Sequence, residues 1–132
     1  MIRDQETINQ LIDTIGRFVR ERLIPAEEQV ASEDAIPEDI LQEMKDMGLF
    51  GLSIPEEYGG LGLTMEEEAL IAFEIGHTSP AFRSIFGTNN GIGAQGVLID
   101  GTDEQKQQYV PKMATSELIG AFFDRLGERE RY

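Results

Sequence analysis

At 132 residues the chain is one domain's worth of polypeptide, enough to bury a single core, and 40% hydrophobic with 27% charged residues is a globular rather than a disordered composition. The net charge of −14 argues against nucleic acid or an anionic membrane surface as partner, and against this segment alone being the main binder of a polyphosphate. With no cysteine, no apolar run near the roughly 18 residues of a membrane span and no signal-peptide pattern, disulfides, thiolate metal sites and a membrane-spanning role fall away; a cytoplasmic location is the default.

Residues 4–24 carry Ile8, Leu11, Ile12, Ile15, Phe18, Val19 and Leu23 at steps of three and four, which predicts a long amphipathic helix that Pro25 stops. Residues 26–34 are acidic and predict at most a short helix or loop. Pro37 suits a first helical position, and Ile40, Leu41, Met44 and Met47 stripe a second helix over 37–47. Gly48 can then supply the left-handed residue that ends it. Leu49, Phe50, Leu52 and Ile54 predict a buried extended segment, and Pro55, Gly59, Gly60 and Gly62 a rigid turn. This stretch is the hub about which the helices turn.

Thr64 with Glu67 spells a capping box and opens a helix to about Gly76, with Ala69, Leu70, Ala72 and Phe73 expected inward. Ser79-Pro80 is a cap followed by proline, so another helix begins there. Its continuation is ambiguous, because Gly87, Gly91, Gly93 and Gly96 each cost about 1 kcal/mol in a helix relative to alanine. A helix over 80–99 would nevertheless put Ser84, Gly87, Thr88 and Gly91 on one face without bulk, suited to close approach by a backbone or a flat ligand. We expect that helix, and expect it to be the most buried. Thr102 with Gln105 forms a second capping box, starting a helix over 103–113 with Tyr109, Val110 and Met113 inside and Pro111 bending or shortening it. Residues 118–123 read as an extended apolar segment, and 124–132 as a charged tail. The sum is an all-α fold, an orthogonal to up-and-down bundle of about five helices with a short extended segment at its C-terminal end.

Several motifs invite chemistry. Gly91-Ile92-Gly93-Ala94-Gln95-Gly96 is a literal G-x-G-x-x-G with Glu117 at a suitable distance, but no parallel strand pair surrounds it, so it is a decoy for a dinucleotide-binding turn. Glu66, Glu67 and Glu68 are consecutive on a helix and point apart; favourable dipole charges are the better reading than an acid–base cluster. His77 has no second histidine or cysteine to complete a metal site or triad, which leaves a helix-end role. Arg83, between Phe82 and Phe86 among small residues, is poorly explained as a solvated charge, and a buried structural ion pair is its bland reading.

Met44-Lys45 through Gly60 with Ile54-Pro-Glu-Glu-Tyr-Gly-Gly60 intact, Ser79-Pro-Ala-Phe-Arg83, Gly101-Thr-Asp-Glu-Gln-Lys106 and Leu118-Ile-Gly-Ala-Phe122 occur in order. In these motifs the chain resembles the N-terminal helical domain of the acyl-CoA dehydrogenases, from about residue 5 to Phe122. The resemblance implies a homo-oligomeric parent enzyme in which FAD accepts a hydride from the β-carbon of an acyl-CoA thioester while a general base removes the α-proton. It implies a buried helix at 80–99 beside flavin and acyl chain, with Ser84, Gly87, Thr88 and Gly91 forming a pocket wall. Arg83 would bind a terminal carboxylate on the acyl group, as in some members, and Phe122 and Phe123 would begin the flavin-contacting strand. No catalytic residue is expected in this domain; Glu56 and Glu57 are architectural. An acyl-CoA oxidase or flavin monooxygenase of the same superfamily, or a helical interaction module without chemistry, are the alternatives.

The domain is expected over 1–123. After Phe123 the family's Thr- and Ser-bearing strand gives way to Asp124-Arg-Leu-Gly-Glu128, a change that reads as a frameshift, a gene-model error or a decayed copy. The chain as given is therefore expected neither to bind FAD tightly nor to turn over, since one-sided contact does not offset an association cost on the order of 4–15 kcal/mol.

Overall fold

The computed structural model describes residues 4–121, which are all-α: seven helical segments, two pairs joined through π turns, make five rods, and no strand occurs among them. Helix α1 (Gln5–Phe18) starts on Asp4, whose carboxylate accepts the N–H groups of Glu6 and Thr7. Its predicted stripe is inside, with Ile8, Ile15 and Phe18 buried.

The rod does not end at Pro25. A π turn (Val19–Leu23) follows α1, and α2 (Ile24–Glu33) continues from it, so the acidic 26–34 segment is mostly helix. The N–H of Ile24 donates to the carbonyl of Val19, one residue further back than in an α-helix. That wider turn starts a new helix in whose first turn Pro25 sits, where a missing N–H costs little. Ala26 and Val30 are buried, and Asp34 closes the helix at φ 53°. Helix α3 (Glu38–Asp46) has Pro37 as its cap, not as its first residue, and buries Ile40 and Met44.

At the hub Gly48 is left-handed, φ 74°, as its position predicts. The apolar segment after it is buried but not extended: Leu49–Gly51 is a 3-10 turn and Leu52 keeps helical dihedrals. The tight turn brings the carbonyls of Gly51, Leu52 and Ile54 to the N–H groups of Leu61, Leu63 and Gly62, each at 2.8 Å. Backbone pairing across this small loop satisfies groups that an extended strand would leave without a partner sheet. Gly60 packs so closely that a Cβ there would lie 2.0 Å from the Ile54 carbonyl oxygen.

Helix α4 (Met65–Ile75) carries the predicted capping box, but its inward face differs from expectation. Glu67, Ile71 and Ile75 are buried and Leu70 is half-buried, whereas Ala69, Ala72 and Phe73 face out, Phe73 at 73% exposure. Apolar residues occur nearly all round this helix, so its own period does not choose a side; packing against α1 does.

The helix expected over 80–99 is present in two pieces: α5 (Pro80–Thr88), a π turn (Asn89–Gly93) and α6 (Ala94–Asp100), kinked at Gly91 (φ −95°, ψ −122°). It is not deeply buried. Phe82, Phe86, Asn89, Asn90 and Ala94 form an inner side, while Arg83, Ser84, Ile92, Gly96 and Ile99 are exposed, because α6 rests chiefly on α7 among the described residues. Helix α7 (Asp103–Ala114) bears the second capping box and runs past Pro111 without shortening. Val110, Met113 and Ala114 make its inner side; Tyr109, expected inside, is 39% exposed, one step off that stripe. Residues 118–121 have no helical structure.

Two hydrophobic clusters result. The larger joins α1 to α5 through Leu49, Phe50 and Leu52, with Phe50 and Phe86 edge to face at 6.3 Å between ring centres. The smaller groups Ile54, Ala94, Val110, Met113 and Ala114 under α6 and α7.

Candidate functional site

The predicted pocket residues lie on α5 and the π turn after it, but they do not line one cavity. Arg83 and Gly87 border a narrow cleft with Glu68 and Ile71 of α4, whose free volume of about 20 Å³ holds no more than a water molecule. Ser84 borders a different, open cleft of about 390 Å³ with Asp34, Ile36 and Ala81, and its hydroxyl is turned back onto the Pro80 carbonyl at 2.9 Å. Thr88 is half-buried, and Gly91 sits at the kink with open space where a side chain would be. Gly87 is not bare: a Cβ placed on it would lie 2.8 Å from Nη1 of Arg83, so the guanidinium occupies the room that the glycine leaves. Of the four residues expected on one uncluttered face, Ser84, Gly87, Thr88 and Gly91, open space thus lies at Gly91, while Arg83 fills it at Gly87.

Arg83 is exposed and forms no ion pair among the described residues, which removes the reading of a buried structural pair. Its electrostatic neighbour is Glu68. Partial burial pushes the Glu68 carboxyl above its ordinary value, and the Arg83 charge offsets part of that rise. The other two glutamates of the run diverge as expected, Glu66 to solvent and Glu67 into the capping box, where it accepts the Thr64 N–H at 2.8 Å. Glu56 and Glu57 lie on an exposed 3-10 turn, and His77 stands beyond the end of α4 with Nδ1 3.3 Å from the Glu74 carbonyl. The G-x-G-x-x-G glycines fall on the π turn and α6.

Three polar residues matter here that periodicity did not flag. Asn90 is buried, donates to the carbonyls of Leu49 (2.6 Å) and Phe86 (3.3 Å) and accepts the Ser53 N–H (3.2 Å), tying the π turn to the hub. Asn89 is fully buried and bonds toward the C-terminal segment. Glu27 accepts the Thr78 hydroxyl at 2.8 Å and the Ser79 N–H at 2.9 Å, fixing the start of α5 to α2. The available signal was a pair of asparagines inside an otherwise helical run, where the side-chain amide competes for backbone hydrogen bonds and is disfavoured unless it finds a partner.

On the outer side, Ile92, Gly96 and Ile99 follow at steps of four and three, and the two isoleucines are exposed at 62% and 73%. Apart from its chain neighbours and its own helix backbone, a Cβ added at Gly91 or Gly96 would meet no atom of the described residues within 4 Å. This surface combines open backbone with apolar side chains. Phe122 and Phe123, the residues expected to meet a flavin, lie outside the described residues.

The fold is that of a helical domain with an exposed apolar side among the described residues. A sequence profile for the acyl-CoA dehydrogenase N-terminal domain matches residues 5–117, and the chain belongs to the acyl-CoA dehydrogenase family. It is 35% identical over 115 residues to the mitochondrial very long-chain specific acyl-CoA dehydrogenase of Rattus norvegicus, covering 87% of this chain and 17% of that one. It is 33% identical over 105 residues to an acyl-CoA dehydrogenase of Bacillus subtilis (strain 168), covering 80% and 28%. The crystal structure of an acyl-CoA dehydrogenase complexed with FAD from Bacillus anthracis superposes with a TM-score of 0.74 at 30% identity, covering 89% of this chain and 20% of that one. The chain thus spans less than a third of the length of these relatives.

Proposed function

We propose that this chain is the N-terminal domain of a FAD-dependent acyl-CoA dehydrogenase and supplies one wall of its acyl pocket. The observation that carries the reading is the exposed apolar surface along the π turn and α6, formed by Ile92, Ile99 and the open backbone of Gly91 and Gly96. An exposed apolar patch of this kind marks a surface that another protein part or a ligand covers. FAD, when bound, accepts the β-hydride of the acyl thioester. The chain's own part is to bind and exclude water: Gly91 leaves width for the alkyl group, and the isoleucines cover it.

Arg83 carries a second reading, of dicarboxylyl preference. An exposed guanidinium without an ion pair among the described residues, at the mouth of a cleft beside α4, is available to a terminal carboxylate, and a bidentate contact there is geometrically selective. The 132-residue chain alone, with a single wall, neither binds FAD tightly nor turns over.

The test is a chimera in which residues 5–117 replace the matching segment of a full-length relative, assayed with FAD and an electron acceptor. Acyl-CoA oxidation by the chimera is expected, and Gly91→Leu should lower kcat/KM for long acyl groups more than for short ones. Equal losses on both lengths overturn the wall assignment. Arg83→Lys and Arg83→Ala should each reduce kcat/KM for a dicarboxylyl-CoA selectively, and equal losses on plain acyl-CoA overturn the second reading.

A further inference from the structure

Asn89 is the fully buried polar residue at the start of the π turn, and its side chain faces the end of the described chain. The amide nitrogen donates to the carbonyls of Met113 and Leu118, both at 2.9 Å, and the amide oxygen accepts the Gly120 N–H at 2.7 Å. A second observation points to the same place. Gly93 and Gly120 approach backbone to backbone, so that a Cβ on Gly120 would lie 3.1 Å from the Gly93 Cα, and one on Gly93 would lie 3.3 Å from the Gly120 Cα.

Residues 118–121 have no helix of their own, and Leu118 and Ile119 are 37% and 56% exposed. Apolar burial therefore holds this segment weakly. Among the described hydrogen bonds, the segment's links to the π turn all run through one side chain.

We infer that Asn89 is a positioning residue: it fixes the path by which the chain leaves the helical domain at 118–120 and holds that path against the pocket wall at Gly93. The inference rests on the wall reading given above, because it is the wall's π turn to which the exit is fastened. The π turn makes this possible. Its wider register turns two successive asparagines inward, Asn90 toward the hub and Asn89 toward the exit, so one turn joins both hydrophobic clusters. Loss of Asn89 would take the partner from the Leu118 carbonyl and the Gly120 N–H, while the Met113 carbonyl keeps the Ser116 N–H, and would free the segment leading to Phe122.

The experiment uses the full 132-residue chain without flavin or acyl-CoA, so its outcome is independent of the chimera assay. The chain has no cysteine, so Ile119→Cys takes a single nitroxide label. In an otherwise unmodified chain the label should be immobilised, and adding Asn89→Ala should mobilise it. Asn89→Asp should mobilise it at neutral pH, where a carboxylate faces two carbonyl oxygens, and immobilise it again as acidification restores one donor; Asn89→Ala should show no such pH response. A merely stabilising residue would not move the label in a pH-dependent way while the helical circular dichroism stays constant. A label equally immobile with Asn89 and with Asn89→Ala overturns the proposal. If the variants fail to fold, the unmodified chain decides by amide exchange: Gly120 should exchange roughly tenfold or more slower than a free amide of its sequence, the protection expected of one hydrogen bond. A Gly120 amide that exchanges as fast as a free one overturns the assignment.

Discussion

At the scale of single residues, the glycines of this chain divide by what surrounds them, and the division predicts opposite signs. Gly60→Ala would drive a Cβ to 2.0 Å from the Ile54 carbonyl, an atom fixed by its own bond to the Gly62 N–H, so the hub must open. We expect a loss of roughly 3 kcal/mol or more by urea denaturation. Gly96 is helical and faces open space, so Gly96→Ala should stabilise by about 0.5–1 kcal/mol in the same measurement. Glu68 supplies a prediction with a pH sign. Its folded-state pKa is raised by burial, so the fold favours the protonated acid, and stability from this group is present below its ordinary value of 4.5 and lost as pH rises through the raised one. Glu68→Gln should therefore raise Tm at pH 7 and change it little near pH 4.

Elements that owe their start to a cap should respond to its removal in proportion to how much of the helix is local. Thr102→Ala removes the acceptor for the Gln105 N–H in an exposed box, and α7 should lose about 1 kcal/mol of stability, read by thermal denaturation. The Thr64–Glu67 and Thr102–Gln105 boxes were both legible in sequence because capping depends on residues three apart and on nothing distant. The same holds for Gly48 at the end of α3 and for the α1 stripe. The π turns were not legible. Pro25 reads as a stop, yet the rod continues because the preceding five residues widen; Gly91 reads as loop or helix, and is a kink between two helices.

For the whole molecule, the net charge of −14 works against a compact chain, and the ion pairs seen among the described residues, Arg22 with Asp39 and Glu43 at 2.6 and 2.7 Å and Lys112 with Glu117 at 3.6 Å, lie at the surface and are worth little. Raising salt from about 10 mM to about 1 M shortens the screening length from roughly 30 Å to roughly 3 Å, and Tm should rise with it. A Tm that falls with salt would mean that specific ion pairs outweigh the general repulsion.

What the sequence by itself determined were the features that rest on neighbours along the chain: an all-α class, five rods, both capping boxes, the left-handed Gly48, and the ordered motifs that place residues 5–117 in their family. The tertiary structure alone decided which way the ambiguous surfaces face. On α4, apolar residues lie nearly all round, and α1 selected Ile71 and Ile75 over Ala72 and Phe73. On α5, a glycine that reads as empty space is covered by the Arg83 guanidinium, four residues back and folded down on it. The roles of Asn89 and Asn90 depend on carbonyls 24 or more residues away in one case and on the hub in the other. Such partners have no signature in local period or propensity, because a buried amide is satisfied by whatever backbone the fold brings to it.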